Sequence, residues 1–417
     1  MFNYPSLNGL ILLLKSNSKS LTLHISLLYT ILYLFVFQFL SCIVTIEESE
    51  NNTYSLTSQK SDTIRINVQA LPNDLLNDEL IIFLEEYFNE LHNRRLKEDV
   101  YKVEVLDFIK YPSIHIYNLI SGYDSKINQL ALSAIYSVKN DTILLFNLFE
   151  LDTNAEISLK ASFDLGITKL RGSIQLVNPL YLNSKKLKTD KVGNIQYFYI
   201  DSLNYDNAKE MNKFNIHIAK EFNVEPIEFK YFKSKSNIDA NLLNGVNYYP
   251  NMYQINNYAG FADIFNNLIF AGNNSEYYPH ELIHLYTAQW KEYPNPNKFF
   301  GEGIATYFGG SRGYDLTWHI CQLKNYIITN KITKEDFDLT GLPTMFAETS
   351  RTSYVIGAIL CKKAYLEGGI KNVKRYFAYE RNTESLYQAI FDVLGKDKET
   401  INQEIFNEII ESKCINK

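Results

Sequence analysis

Residues 280 to 284 read His280-Glu281-Leu282-Ile283-His284. On a helix, four residues turn the chain through about 400°, so both imidazoles leave the same face one turn apart. Two nitrogen ligands of a single Zn²⁺ need that separation. Glu281 stands beside the first histidine and can reach a water at the metal without taking a metal position, so helix geometry separates ligation from proton transfer. The competing reading is a helix whose histidines face a core or solvent.

A zinc site of this kind takes a third protein ligand. A breaker loop, Tyr293-Pro294-Asn295-Pro296-Asn297, is followed by Phe299-Phe300-Gly301-Glu302-Gly303-Ile304-Ala305-Thr306-Tyr307-Phe308. A helix, a proline turn and a second helix would return Glu302 to the histidines, with seventeen residues between His284 and Glu302. The flanks of Glu302 are apolar or small, a setting in which a carboxylate needs a partner such as a metal. Thr306, one turn on, is a candidate hydrogen-bond partner for the ligand set.

These two motifs together resemble the gluzincin metallopeptidases, the group that includes thermolysin and the membrane-alanyl-type aminopeptidases. The likeness spans residues ~205–415 and is strongest to the aminopeptidase pattern, with Gly301 where that pattern has asparagine. It implies one zinc per chain held by His280, His284 and Glu302, with Glu281 as general base. Downstream, Thr352-Ser353-Tyr354-Val355-Ile356-Gly357 is similar to the aminopeptidase segment whose tyrosine hydrogen-bonds the tetrahedral intermediate, a role the resemblance gives to Tyr354. The aminopeptidases also carry a Gly-x-Met-Glu-Asn stretch that recognises a free amine. The comparable place here reads Gly260-Phe261-Ala262-Asp263, where Asp263 could serve in part, so the choice between aminopeptidase and endopeptidase stays open.

Upstream, the expected class is α+β. Leu80, Phe83, Leu84, Tyr87, Phe88 and Leu91 recur at helical spacing behind a capping Asn77, and long apolar strand-like runs follow through residue 182. One helix followed by antiparallel strands suggests a cone-shaped domain of the nuclear-transport-factor type over residues 63–195. A second unit, 196–417, opens with a helix stripe at Met211, Phe214, Ile218 and Phe222. It continues through a small sheet and the zinc helices into a helical C-terminal part. Lys185, Lys186, Lys188 and Lys191 read as a solvated loop between the two units.

Residues 1–42 read as an address. Leu21 to Val44 are almost continuously apolar behind Lys15 and Lys19, long enough for an export signal or a bilayer span. Phe39-Leu40-Ser41-Cys42 resembles a bacterial lipobox, which would make Cys42 a lipid anchor. Retention as a signal anchor is the alternative. Residues 43–62 are polar and read as a tether. Either way the bulk of the chain is expected outside the cytoplasm, in the cell envelope and tied to a membrane.

Composition sets the outer limits. The chain has 417 residues, 46% hydrophobic and 21% charged, and a net charge of −6, which excludes wholesale disorder and gives no electrostatic case for nucleic acid. Four cysteines are too few for a disulfide scaffold. Cys321 and Cys361 read as reduced core thiols, and Cys414 as idle. His24, His92, His115 and His217 read as structural, as does His319, which could also line the cleft. The expected function is a zinc-dependent peptidase acting on peptide or protein substrates, taken as a monomer. The alternative is a catalytically inactive metallopeptidase-like lipoprotein serving as a binding or assembly module.

Overall fold

The computed structural model describes residues 66–67, 78–93, 113–121, 127–138, 141–151, 157–170, 173–250, 252–253, 260–290 and 297–414. The address segment with His24 and Cys42, the tether, Asn77 and most of the 293–297 loop lie outside them. The described part is mixed α and β, built on antiparallel and mixed sheets.

The first layer pairs helices with a six-stranded sheet. Strand β1 (Ile66–Asn67) precedes helices α1 (Asp78–His92) and α2 (Ile114–Ser121). Then come β2 (Ile127–Val138), β3 (Asp141–Leu151), β4 (Ile157–Leu170) and β5 (Ser173–Val177) in neighbouring antiparallel order. The apolar stripe of α1 lands on this sheet. Phe88, fully buried, meets Phe146 at 5.0 Å and Phe163 at 6.0 Å between ring centres. The β1 pairing is parallel to β2, since the helical connection between them permits a same-direction return that a hairpin would not. The last apolar run breaks in two. Asn178 caps a short helix α3 (Pro179–Ser184), with Pro179 in its first turn, where proline loses no hydrogen bond.

Of the lysine-rich stretch, Lys185 and Lys186 lie in an exposed turn as expected, but Lys188 and Lys191 belong to a strand. β6 (Lys188–Val192) is the outer edge of a five-stranded sheet with β7 (Ile195–Tyr199) beside it, and exposed lysines suit an unpaired edge. Helix α4 (Tyr205–Phe222) ends on Asn223 in the left-handed region, ahead of Pro226. β8 (Phe229–Lys233), helix α5 (Asn237–Leu243), β9 (Val246–Tyr248), β10 (Gly260–Asp263) and β11 (Leu268–Ala271) follow. The sheet order is β10-β11-β8-β7-β6, with parallel pairs β11/β8 and β8/β7 at its centre, while β9 joins the first sheet beside β4.

Each face of this second sheet serves a different core. Tyr197, Tyr231, Ile269 and Ala271 point into a core shared with the C-terminal helices, while Phe232, Leu268 and Phe270 join the core under α1. On the latter face the rings of Phe198, Phe232, Phe270 and Phe261 stack across four strands at 4.5, 4.8 and 4.8 Å.

Beyond β11 the chain is mostly helical: α6 (Pro279–Thr287), α7 (Lys298–Gly309) and α8 (Leu316–Thr329), then a small hairpin of β12 (Met345–Ala347) and β13 (Ser350–Arg351). α9 (Thr352–Arg375), α10 (Thr383–Leu394) and α11 (Lys398–Glu411) complete the described chain. Two of the cysteine readings are corrected here. Cys321 on α8 and Cys414 form a disulfide across 93 residues with Cα atoms 5.6 Å apart, clamping the C-terminal segment to α8. Lys324 supports that clamp by donating to Ser412 O at 2.9 Å. Cys361 is the buried free thiol, and burial pushes its pKa up.

Candidate metal centre

The His280-Glu281-Leu282-Ile283-His284 stretch is helical, as its spacing predicts, and forms the first turns of α6. Pro279 opens the helix, and Glu281 lies in the positively polarised first turn. α7 starts from Asn297, whose side chain accepts from Phe299 N at 3.1 Å. The helix then brings Glu302 to the histidine face. Gly309 makes the close approach of the two helices possible, since a Cβ there would lie 2.7 Å from His280 N.

The three expected ligands converge. His280 Nε2 lies 3.3 Å from His284 Nε2 and 3.3 Å from Glu302 Oε2, and His284 Nε2 lies 3.8 Å from the same oxygen. Among the described residues this is the one group of three or more potential ligands close enough to hold an ion. A tetrahedral zinc with bonds of about 2.0–2.1 Å sets its ligand atoms about 3.3–3.4 Å apart, so the spacing fits with little adjustment.

The protonation pattern also fits a cation. His280 Nδ1 lies 2.7 Å from Gly310 O, and a carbonyl can only accept. In the neutral imidazole Nδ1 therefore carries the proton, and the Nε2 lone pair faces Glu302 and His284. Lone pairs and a carboxylate oriented towards one another repel unless positive charge lies between them. A metal ion would supply that charge, and without one a proton on His280 takes its place. Burial pushes the Glu302 carboxyl up, but the His280 hydrogen bond, the two imidazoles and the Tyr354 hydroxyl outweigh it and hold it down at about 2. Burial lowers His280, yet Glu302, Glu281 and the Gly310 carbonyl leave it raised overall.

Glu281 is buried at 6% exposure and does not belong to the ligand group. Tyr354, in the first turn of α9, stacks on the His280 ring at 5.7 Å and 29°. Its hydroxyl bonds to Glu302, and burial followed by the Glu302 charge pushes its pKa up. α9 reaches α7 through a glycine-to-glycine crossing. A Cβ on Gly303 would lie 2.7 Å from Gly357 Cα, and one on Gly357 would run into the Phe299 carbonyl. Both glycines flank motif residues, so the crossing sets how far Tyr354 stands from Glu302.

Several secondary expectations do not hold. Thr306 is fully buried, but among the described residues its hydroxyl has no hydrogen-bond partner and supports no ligand. Asp263 sits at the turn end of β10 and is occupied by Phe265 N at 3.1 Å, Asn266 N at 3.3 Å and Asn266 Nδ2 at 3.0 Å. It is a buried turn cap, its carboxyl raised by burial to about 6. His217 does have a carboxylate nearby, Glu221 at 3.8 Å one turn on.

Two contributors go beyond the sequence reading, which gave His319 only a structural place or one lining the cleft. One is the Gly310 carbonyl, which only a fold can identify. The other is His319, buried at 0% exposure, with Nδ1 2.7 Å from Ser350 Oγ and Nε2 3.0 Å from Ser311 O. It ties the segment that follows Gly310 to the segment that precedes Tyr354. Its place four residues past a helix-capping Asp315, in line with Leu323 and Ile327, was the available signal.

No protein-family model matches the chain, and no curated protein does. Among solved structures, an M1 zinc metallopeptidase from Deinococcus radiodurans aligns at 12% identity and a TM-score of 0.26, covering 69% of this chain and 63% of that one. A mutant of it bound to a Tyr-ser-ala substrate aligns at 13% identity and TM-score 0.27, covering 69% and 64%. A two-domain mutant form bound to L-arginine gives 12% identity and 0.29, with the same coverage. The chain thus spans less than two thirds of these structures. At such scores the likeness carries no weight, and the functional case rests on the residues above.

Proposed function

We propose that the chain is a zinc-dependent peptidase of gluzincin type, held outside the cytoplasm by its N-terminal segment. The observation that carries the reading is the convergence of three ligand atoms from two helices, 3.3 to 3.8 Å apart, with His280 Nδ1 already committed to a carbonyl. His280, His284 and Glu302 would hold one zinc per chain. When bound, zinc supplies Lewis acidity to a carbonyl and lowers the pKa of water to about 7.

The protein's own groups do the rest. Glu281 accepts the proton of the attacking water and returns it to the departing amine. The Tyr354 hydroxyl, now on Glu302, donates to the substrate's carbonyl oxygen as it gains charge, a role worth about 2.7–4 kcal/mol. Gly310 fixes the His280 tautomer so that its lone pair stays available.

The Cys321–Cys414 disulfide supports an oxidising compartment. No helix among the described residues is long and apolar enough to cross a membrane, so tethering is assigned to residues 1–42, through Cys42 or as an anchor. Residues 63–195 form the accessory half of this reading. Their nuclear-transport-factor-like character is supported by α1 lying on a long antiparallel sheet.

Metal analysis of the purified protein should return close to one zinc per chain. Glu281→Gln should keep that zinc and lose peptide hydrolysis. Equal hydrolysis by both forms refutes the mechanism, and loss of zinc with retained fold in neither His280→Ala nor His284→Ala refutes the site.

A further inference from the structure

Arg351 ends β13 and directly precedes α9. Its Nε is buried without a hydrogen-bond partner among the described residues. Arg312 and Arg375, by contrast, each donate to a backbone carbonyl. What Arg351 does contact is the ring of Tyr354, with Cζ 5.9 Å from the ring centre. An arginine offers five donors and a permanent charge. Leaving one donor buried and unpaired costs about 1–3 kcal/mol, and such a group in a folded protein calls for an explanation.

Its location provides one. Tyr354 stacks on His280 at 5.7 Å, so the two spacings place the guanidinium no more than about 12 Å from a ligand imidazole, the length of about three extended residues. That is within the span of a short peptide bound at the metal centre. Arg312 adds a second cation on the neighbouring turn. Its Nη1 donates to Glu348 O at 3.1 Å, and its charge is felt at Tyr278 and His319. The carboxylates of the centre itself, Glu281 and Glu302, are assigned to proton transfer and metal.

We propose that Arg351 forms an anion subsite that binds a carboxylate of the substrate within about three residues of the scissile bond. A guanidinium recognises a carboxylate through two parallel hydrogen bonds, a geometry that also selects for position. The carboxylate is either the peptide's own C-terminus or an aspartate or glutamate side chain. As a substrate subsite this rests on the peptidase reading; as an anion site it does not.

The test uses zinc-loaded full-length protein carrying Glu281→Gln, which should bind peptides without turning them over. Calorimetry would compare three matched pentapeptides: Ala-Ala-Phe-Ala-Ala as the free acid, the same peptide as its C-terminal amide, and the amide with aspartate in the fourth place. At least one anionic peptide should bind about tenfold more tightly than the neutral amide. The gap should shrink to within about twofold when Arg351→Met is added and recover in part with Arg351→Lys. Which anionic peptide gains identifies the source of the carboxylate. A neutral peptide binding as tightly as the anionic ones, a gap that survives Arg351→Met, or no binding by any of the three overturns the subsite. Cleavage of all three by the Glu281 protein without charge preference would defeat the subsite and leave the peptidase standing. Charge-selective binding with no cleavage would do the reverse.

Discussion

Replacing Gly357 by alanine tests whether the crossing of α7 and α9 holds the centre together. The added methyl would meet the Phe299 carbonyl and lie 3.0 Å from Gly303 Cα. The obstacle is backbone on both counts, so no side chain can swing aside. Ordinary contact begins near 3.4 Å, so the two helices must part by at least about half an ångström at Gly303 and by more at Phe299. Overpacking of this kind costs about 1–3 kcal/mol. Glu302 immediately precedes Gly303, and Tyr354 lies one turn before Gly357, so the separation also pulls the carboxylate and its hydroxyl partner apart. Metal sites tolerate about 0.2 Å of ligand error, and disturbed supporting contacts typically cost 10- to 100-fold in affinity. Urea titration should therefore show a lower midpoint, and competition against a chromophoric chelator should show zinc held at least tenfold more weakly. Gly341→Ala is the control, because its nearest neighbours stand at 3.5 Å. If Gly357→Ala matched Gly341→Ala in both assays, the idea that this contact sets the geometry of the centre would be wrong.

Other outcomes follow from the same structure. Cys321→Ser should destabilise the chain by up to about 4–5 kcal/mol, the chain-entropy value for a loop of 93 residues; an unchanged denaturation midpoint in oxidising buffer would rule out the bridge. Asp263 prefers its neutral form when folded, with a pKa raised from 3.8 to about 6. Below the lower value both states are protonated and nothing is lost; through that window rising pH costs the folded state up to about 3 kcal/mol. Asp263→Asn should remove this pH dependence, so the stability difference between variant and wild type should move in the variant's favour from pH 4 to pH 7; a constant difference would refute it. Chelation of zinc should lower the melting temperature, and adding zinc back should restore it in proportion to the logarithm of its concentration; an unchanged melting curve would speak against any bound metal.

Much of the centre was legible because it is written in short-range geometry. The i, i+4 histidines need only a helix, and the Pro-rich loop followed by Glu302 among small residues needs only a helix pair. Gly303 and Gly357 lay inside the quoted motifs, yet their mutual contact belongs to tertiary structure. What stayed hidden depends on groups without a sequence signature or on long separations. The Gly310 carbonyl is backbone, and every residue has one. The Cys321–Cys414 pairing joins positions 93 residues apart, and an apolar setting around Cys321 does not distinguish a thiol from a half-cystine. Asp263 was misjudged because a carboxylate near the expected place says nothing of what already occupies it. The lysines of β6 looked like a loop because an exposed edge strand and a solvated loop share the same composition.

The row of stacked phenylalanines on the second sheet bears on how the protein can be divided. Cutting the chain ahead of residue 196 would strip α1 and the first sheet from Phe198, Phe232, Phe270 and Phe261, baring a greasy stripe four strands wide. Such a fragment would carry every ligand and Glu281, yet it would precipitate or pair with itself before any assay began. The upstream segment covers that stripe, so the half that holds the candidate metal centre depends on it for solubility.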